Sequence, residues 1–142
     1  MKKLSRWPWK YKMFDWKKPT AQMLGRWQPW HDGHAAHFEK ALKKTRQVCI
    51  MFRDVSGVDA GVEGQGDNPF EFEEVKKRII DGLAVHGYQH EKEYIVLKVP
   101  NVTDISYGRG VGYTFTEHDL GEEIHKISAT KIRKKMRDED QL

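Results

Sequence analysis

Apolar residues fall in short blocks along this chain, and the spacing inside each block sets the element it predicts. Ala21 to Trp27 has a short apolar core and predicts a first strand, short enough to be central and buried. Gln28 to Asp32 reads as a turn, because Pro29 cannot donate to a ladder. From Gly33 to about Lys44 the period becomes helical. Ala35, Phe38, Ala41 and Leu42 share one face, with Glu39, Lys40, Lys43 and Lys44 on the polar side. Gln47 to Arg53 is nearly all apolar, as in a strand covered on both faces. Asp54 to Asp67 is a long loop with glycines at 57, 61, 64 and 66, and mobility is expected there. Asn68 as a cap, Pro69 at the first position and Glu71 three residues after the cap predict the next helix. Phe72, Val75, Ile79 and Leu83 form its buried stripe, and Gly87 stops it. Glu93 to Val99 predicts a third strand, closed by Pro100, and Val111 to Thr116 a short fourth. Ser128 to Arg137 predicts a basic final helix followed by a loose tail.

Strand, helix, strand, helix, strand, strand, helix is the alternation of an α/β fold. It implies a parallel sheet with right-handed crossovers, here with helices expected on both faces. Ligands in such sheets sit beyond the carboxyl ends of the strands. Gly25 to His34 (GRWQPWHDGH), Arg53 and the loop from Pro100 to Gly110 all fall at that edge.

Composition narrows the class. With 142 residues, 38% apolar and 32% charged, the chain suits one soluble globular domain. No apolar run approaches the roughly 18 residues of a membrane helix, so no membrane is expected as a partner. The N-terminus has no apolar core or small-residue cleavage site, so no secretory signal is expected. Cys49 is the single cysteine, set in the apolar run VCIMF. It predicts a buried core residue and a reducing, cytoplasmic setting. The net charge of +4 is uneven. Seven lysines and arginines against Asp15 give residues 1–20 a charge of +6, leaving −2 for the rest. Residues 1–20 are therefore set apart as a basic, aromatic arm, and 21–142 as the domain. Trp7, Trp9, Tyr11, Phe14 and Trp16 in the arm suit packing against the domain or a neighbouring subunit. The same mixture could stack on nucleic-acid bases, although nucleic acid is not the expected partner.

Two stretches carry the chemistry. A strand, a glycine turn and a helix make an anion site, because backbone N–H groups and the helix dipole both favour negative charge there. Gly33 lets the backbone approach closely, and His31 and His34 add two side-chain donors. Ile127 to Arg133 (ISATKIR) repeats the logic at the last helix, with hydroxyls from Ser128 and Thr130 and the charged fork of Arg133. Two such termini suit a triphosphate. Blander readings stay open at this stage. Ser128 can be only a helix cap, and Arg133 one more cation on a solvated face with Lys134, Lys135 and Arg137. Arg109 can be a solvated arginine in a glycine turn. His31, His34 and His37 have a spacing that could hold zinc, but no cysteine or carboxylate completes the set, and no protein metal site is expected.

GRWQPWHDGH resembles the first motif of the HxGH nucleotidyltransferase superfamily, often written GRFQPFHxGH, with tryptophan for both phenylalanines. ISATKIR is similar to the second, ISxTxIR, and Asn68-Pro69-Phe70 resembles the NPF of archaeal-type nicotinamide mononucleotide adenylyltransferases. The resemblance spans residues 21–137. It implies a Rossmann-like, nucleotidyltransferase-type domain that moves AMP or CMP from a nucleoside triphosphate to a phosphorylated small-molecule acceptor, releasing pyrophosphate with Mg²⁺ as cofactor. It implies catalytic roles for His31, His34 and Arg133. Gly25, Arg26, Trp27, Gln28 and Gly33 would line the nucleotide and phosphate site, and Ser128, Thr130 and Arg133 would hold the β- and γ-phosphates. A homo-oligomer is expected on the same ground. PNVTDISYGRGVGYT replaces the longer segment that helps form the nicotinamide pocket in the adenylyltransferases, so the acceptor is left open. Arg53 and Arg109 are the candidate acceptor contacts. The competing reading is a nucleotide- or nucleic-acid-binding module that uses the same pocket without turnover.

Overall fold

Three of the apolar runs become three parallel strands, and the amphipathic stretches between them become the crossovers. The computed structural model describes residues 13–110, 112–121 and 127–142. The strands are β1 (Ala21–Gly25), β2 (Val48–Arg53) and β3 (Tyr94–Val99), and the helices are α1 (Asp32–Thr45), α2 (Phe72–Ala84) and α3 (Ala129–Asp138). The strands pair in the order β1-β2-β3, all parallel, with Met23 opposite Ile50 and Ile50 opposite Val96.

The pleat puts Met23, Val48, Ile50, Phe52, Tyr94 and Val96 on one face. Phe38 and Ala41 of α1 join Val75, Ile79 and Leu83 of α2 in a single buried cluster with them. Both crossover helices therefore lie on this face rather than one on each. Crossovers of one hand between strands added in one direction place them so. The opposite face carries Leu24, Cys49, Met51, Ile95 and Leu97. Cys49 is buried there, as its apolar run predicts, and burial pushes its thiol pKa up.

Element ends moved where side chains outbid local signals. β1 stops at Gly25, two residues before the expected end. Trp27 takes a left-handed backbone angle (φ 51°), and its ring lies where a side chain on Gly25 would be. α2 begins at Phe72, with Glu71 as a cap that makes no side-chain bond. Asn68, expected as that cap, is instead buried and clamps the glycine loop. Its Nδ2 donates to the carbonyls of Val58 (2.8 Å) and Gln65 (3.0 Å), and its own carbonyl accepts from Gly57 N–H at 2.8 Å. Asn101 Nδ2 adds a bond to Ala60 O at 2.8 Å. The loop expected to be mobile is thus folded onto itself, with Val55 and Ala60 buried. Gly57, Gly61 and Gly64 each take positive φ to make the bends. Of the expected fourth strand, residue 111 lies outside the described residues, and 112–116 form no strand.

Residues 13–20 are fastened at the amino end of the sheet. Gln47 Nε2 donates to Asp15 O (2.7 Å) and Thr20 Oγ1 (2.8 Å), and Phe14 N–H donates to Glu91 O at 2.8 Å. Residues 1–12 of the arm lie outside the described residues.

Candidate functional site

The HxGH segment caps its own helix. His31 is the N-cap of α1, in extended conformation. Its Nδ1 accepts the Gly33 N–H at 3.0 Å, while His34 Nδ1 accepts the His31 N–H at 3.1 Å. This is a reciprocal capping box built from two imidazoles. Of the backbone donors expected to receive an anion here, the Gly33 and His34 N–H groups are already bonded to His31. An Nδ1 that accepts a hydrogen bond carries no proton, which assigns the proton of each neutral ring to Nε2. The rings stack at 3.6 Å between centroids and 19° between planes. The two Nε2–H donors therefore belong to one rigid pair.

Trp27 and Trp30 wall this pair in. The His34 ring lies 4.8 Å from that of Trp27 and 5.3 Å from that of Trp30. Burial, helped by the proximity of His31 and His37, pushes the His34 pKa down to about 3. His31 is lowered by burial as well, against a smaller opposing pull from Asp32. Both rings are neutral at pH 7.

Several residues expected to line a nucleotide also make structural contacts. Gly25 makes room for the Trp27 ring: a Cβ there would meet it at 2.8 Å. Trp27 Nε1 donates to Met51 O at 3.0 Å. Gln28 is buried and locked to the Phe70 backbone, accepting from its N–H (2.8 Å) and donating to its carbonyl (2.9 Å). Gly33 is buried under the first turn of α1.

The second motif reaches the first through one side chain. Arg133, on α3, is 4% exposed and so is not part of a solvated face. Its Nη1 donates to Gln28 O, its Nε to Asp67 Oδ2 (2.8 Å) and its Nη2 to Thr130 Oγ1 (3.4 Å). Arg137 takes both oxygens of the same Asp67, each at 2.8 Å. These two guanidiniums hold the Asp67 carboxyl well below the usual carboxylate range. Ser128 acts as the α3 cap, accepting from Lys131 N–H at 3.3 Å. Thr130 stays exposed beside Arg133.

Two further guanidiniums stand at the carboxyl edge of the sheet. Arg26 follows β1 and donates to Asn68 Oδ1 at 2.6 Å. Arg53 ends β2 and donates to Gln65 Oε1 (3.0 Å) and Asn101 Oδ1 (2.7 Å). Burial, then repulsion from Arg133 and Arg53, lowers the pKa of Arg26. Among the described residues Asp67 is the one carboxylate bonded to any of Arg26, Arg53, Arg133 and Arg137, which leaves the cluster strongly cationic. Arg109, the other candidate acceptor contact, is exposed and makes no side-chain bond among the described residues. Asp67, Gln65 and Asn101 escaped the sequence reading, since nothing local marks them: each meets its arginine only through the folded loop.

The His37 ring faces His118, with rings 5.5 Å apart. Among the described residues no three His, Cys, Asp or Glu side chains are grouped to hold a metal. The donor set does not fit a protein-held Mg²⁺, because the carboxylate at the cluster is committed to two guanidiniums. No protein-family model matches the chain, and no curated protein matches it.

Proposed function

We propose that this chain is a nucleotidyltransferase of Rossmann-like, nucleotidyltransferase-type architecture. It would transfer AMP or CMP from a nucleoside triphosphate to a phosphorylated small-molecule acceptor. The observation that carries the reading is the meeting of the two motifs: Arg133 of ISATKIR is bonded to the Gln28 carbonyl of GRWQPWHDGH, 105 residues away in the chain. Their resemblance to the paired HxGH and ISxTxIR motifs supplies the chemistry, and the surplus of arginine charge suits a polyphosphate.

In this reading the two Nε2–H groups of His31 and His34 donate to phosphate oxygens as charge develops on the leaving group. Arg133 and Thr130 hold the β- and γ-phosphates. An oxygen of the acceptor phosphate attacks the α-phosphorus in line. The new P–O bond forms as the bond from the α-phosphorus to the bridging oxygen breaks, and pyrophosphate departs with that electron pair. The nucleophile is already ionised, so the reaction needs position and electrostatics more than a general base. Mg²⁺ would arrive with the triphosphate.

The test is pyrophosphate release in the presence of Mg²⁺, crossing ATP and CTP against phosphorylated acceptors. Release that requires one nucleotide and one acceptor supports the reading and names both substrates. Tight nucleotide binding by calorimetry, with no release across the panel, would favour the binding-module alternative.

A further inference from the structure

Arg53 is a buried guanidinium without a countercharge among the described residues. It is 8% exposed, its two Nη groups meet only neutral amide oxygens, and its Nε–H has no acceptor among the described residues. A buried charge left in this state is costly unless a partner completes it. The amides that frame it are themselves fixed from behind. Asn101 Nδ2 is bonded to Ala60 O, and the Gln65 backbone is bonded to Ala60 N–H and Asn68 Nδ2. Arg26, half-buried just past the end of the neighbouring strand, is held in the same manner by the oxygen of Asn68. Strand register sets the two arginines side by side, since Gly25 pairs with Phe52 and each arginine is the next residue. Three amides thus hold two guanidiniums in place and quench neither charge. A glutamate at 65, where only the amide oxygen is used, would hold Arg53 as well and would cancel its charge.

We propose that Arg53, framed by Asn101 and Gln65 and flanked by Arg26, is the subsite that receives the acceptor's phosphate monoester. The assignment rests on the nucleotidyltransferase reading for the word acceptor, but the anion site stands or falls separately. An incoming phosphate meets the vacant Nε–H of Arg53 and replaces one amide oxygen on the fork. It approaches past Arg26, the more exposed member of the pair. A dianion matches two neighbouring cations, so Arg53 selects phosphate monoesters over singly charged acceptors. Arg109, solvated and unbonded among the described residues, has no such frame.

The experiment is a calorimetric titration of the full chain with inorganic phosphate, alone and with saturating α,β-methylene-ATP. Arg53→Gln is compared with wild type. Phosphate should bind to wild type in both conditions, and the substitution should weaken it roughly ten- to a hundredfold, the range expected for lost charge-assisted bonds. Affinity for the ATP analogue should stay within about twofold. Gln65→Glu guards against a folding artefact, because the amide nitrogen of Gln65 makes no bond among the described residues. It keeps the frame but gives Arg53 a carboxylate, so it should raise the melting temperature while abolishing phosphate binding. Phosphate affinity unchanged in both variants would overturn the proposal, as would wild type that binds no phosphate in either condition. A chain that binds phosphate through Arg53 but no ATP analogue would retain the anion site and lose the nucleotidyltransferase reading.

Discussion

His34 titrates far outside the range of an ordinary histidine, and the sign of the consequence follows. Its pKa is near 3 in the fold, whereas a solvated imidazole takes its proton near 6.5. Between these values the unfolded chain binds the proton and the native chain does not. Stability is therefore lost as pH falls from about 6.5 towards 3, by up to about 1.4 kcal/mol per pH unit. Glutamine at position 34 can still accept the His31 N–H as a capping-box residue. His34→Gln should accordingly keep its stability at pH 7 and lose the extra acid sensitivity, read as parallel urea titrations at pH 7 and pH 5. An unaltered difference between the two pH values would mean that His34 does not carry the effect. For catalysis, His34→Ala should lower turnover about 10²–10³-fold, as for loss of one preorganised donor, and a loss under tenfold would reject that role. Gly25 makes a purely steric prediction. The Trp27 ring occupies its Cβ position and is pinned by the bond to Met51 O, so Gly25→Ala should cost about 1–3 kcal/mol in a melting experiment.

Elements held where apolar period and burial agreed. β2, β3 and α1 fall within a residue or so of their sequence-based limits, because VCIMFR, YIVLKV and the Ala35-Phe38-Ala41 stripe admit one buried face each. The start of α2 failed because Asn68 had two uses for its amide. It spans Arg26, Val58 and Gln65, partners that only the folded loop supplies, and so it left the helix cap to Glu71. The site was legible as two motifs but not as a geometry. Residue types alone do not say that the histidines use their Nδ1 atoms on the backbone, or that Arg133 is buried. α3 owes its position to Asp67, which holds the buried Arg133 and the half-exposed Arg137 together. Asp67→Asn strips the charge partner from a buried guanidinium. Because Asp67 itself is 42% exposed, the loss should be about 1–3 kcal/mol, below that of a fully buried pair. Amide exchange should quicken in Ala129–Asp138 before it does in β2. A bound triphosphate restores negative charge at Arg133, so ATP should raise the melting temperature of the variant more than that of wild type. A smaller rise would mean that Asp67 assists the nucleotide rather than standing in for it.

Across the whole molecule the two ends of the sheet carry different chemistry. The carboxyl edge gathers Arg26, Arg53, Arg133 and the stacked histidines, while the amino edge fastens residues 13–20 through Gln47 and Glu91. A six-residue strand separates the edges by about 20 Å. The net charge misled at this scale: the sequence assigns the positive excess to residues 1–20, yet a strongly cationic cluster lies within a domain whose net charge is negative. Sequence counts average over a surface, whereas a fold sorts charges by edge. The aromatic arm begins its described course at the edge opposite the histidines, with Trp16 73% exposed beside Phe14. Twelve preceding residues could in principle span about 40 Å if extended, so length alone does not keep them from the site. The anchoring bonds argue for a separate role. Deleting residues 1–12 should leave ATP affinity within about twofold of wild type by calorimetry. If the arm serves a nucleic-acid contact, salt-sensitive oligonucleotide binding should disappear with it while nucleotide binding remains. A tenfold loss of ATP affinity on deletion would instead bring the arm into the nucleotide site, and the separation of the two edges would no longer describe how the molecule works.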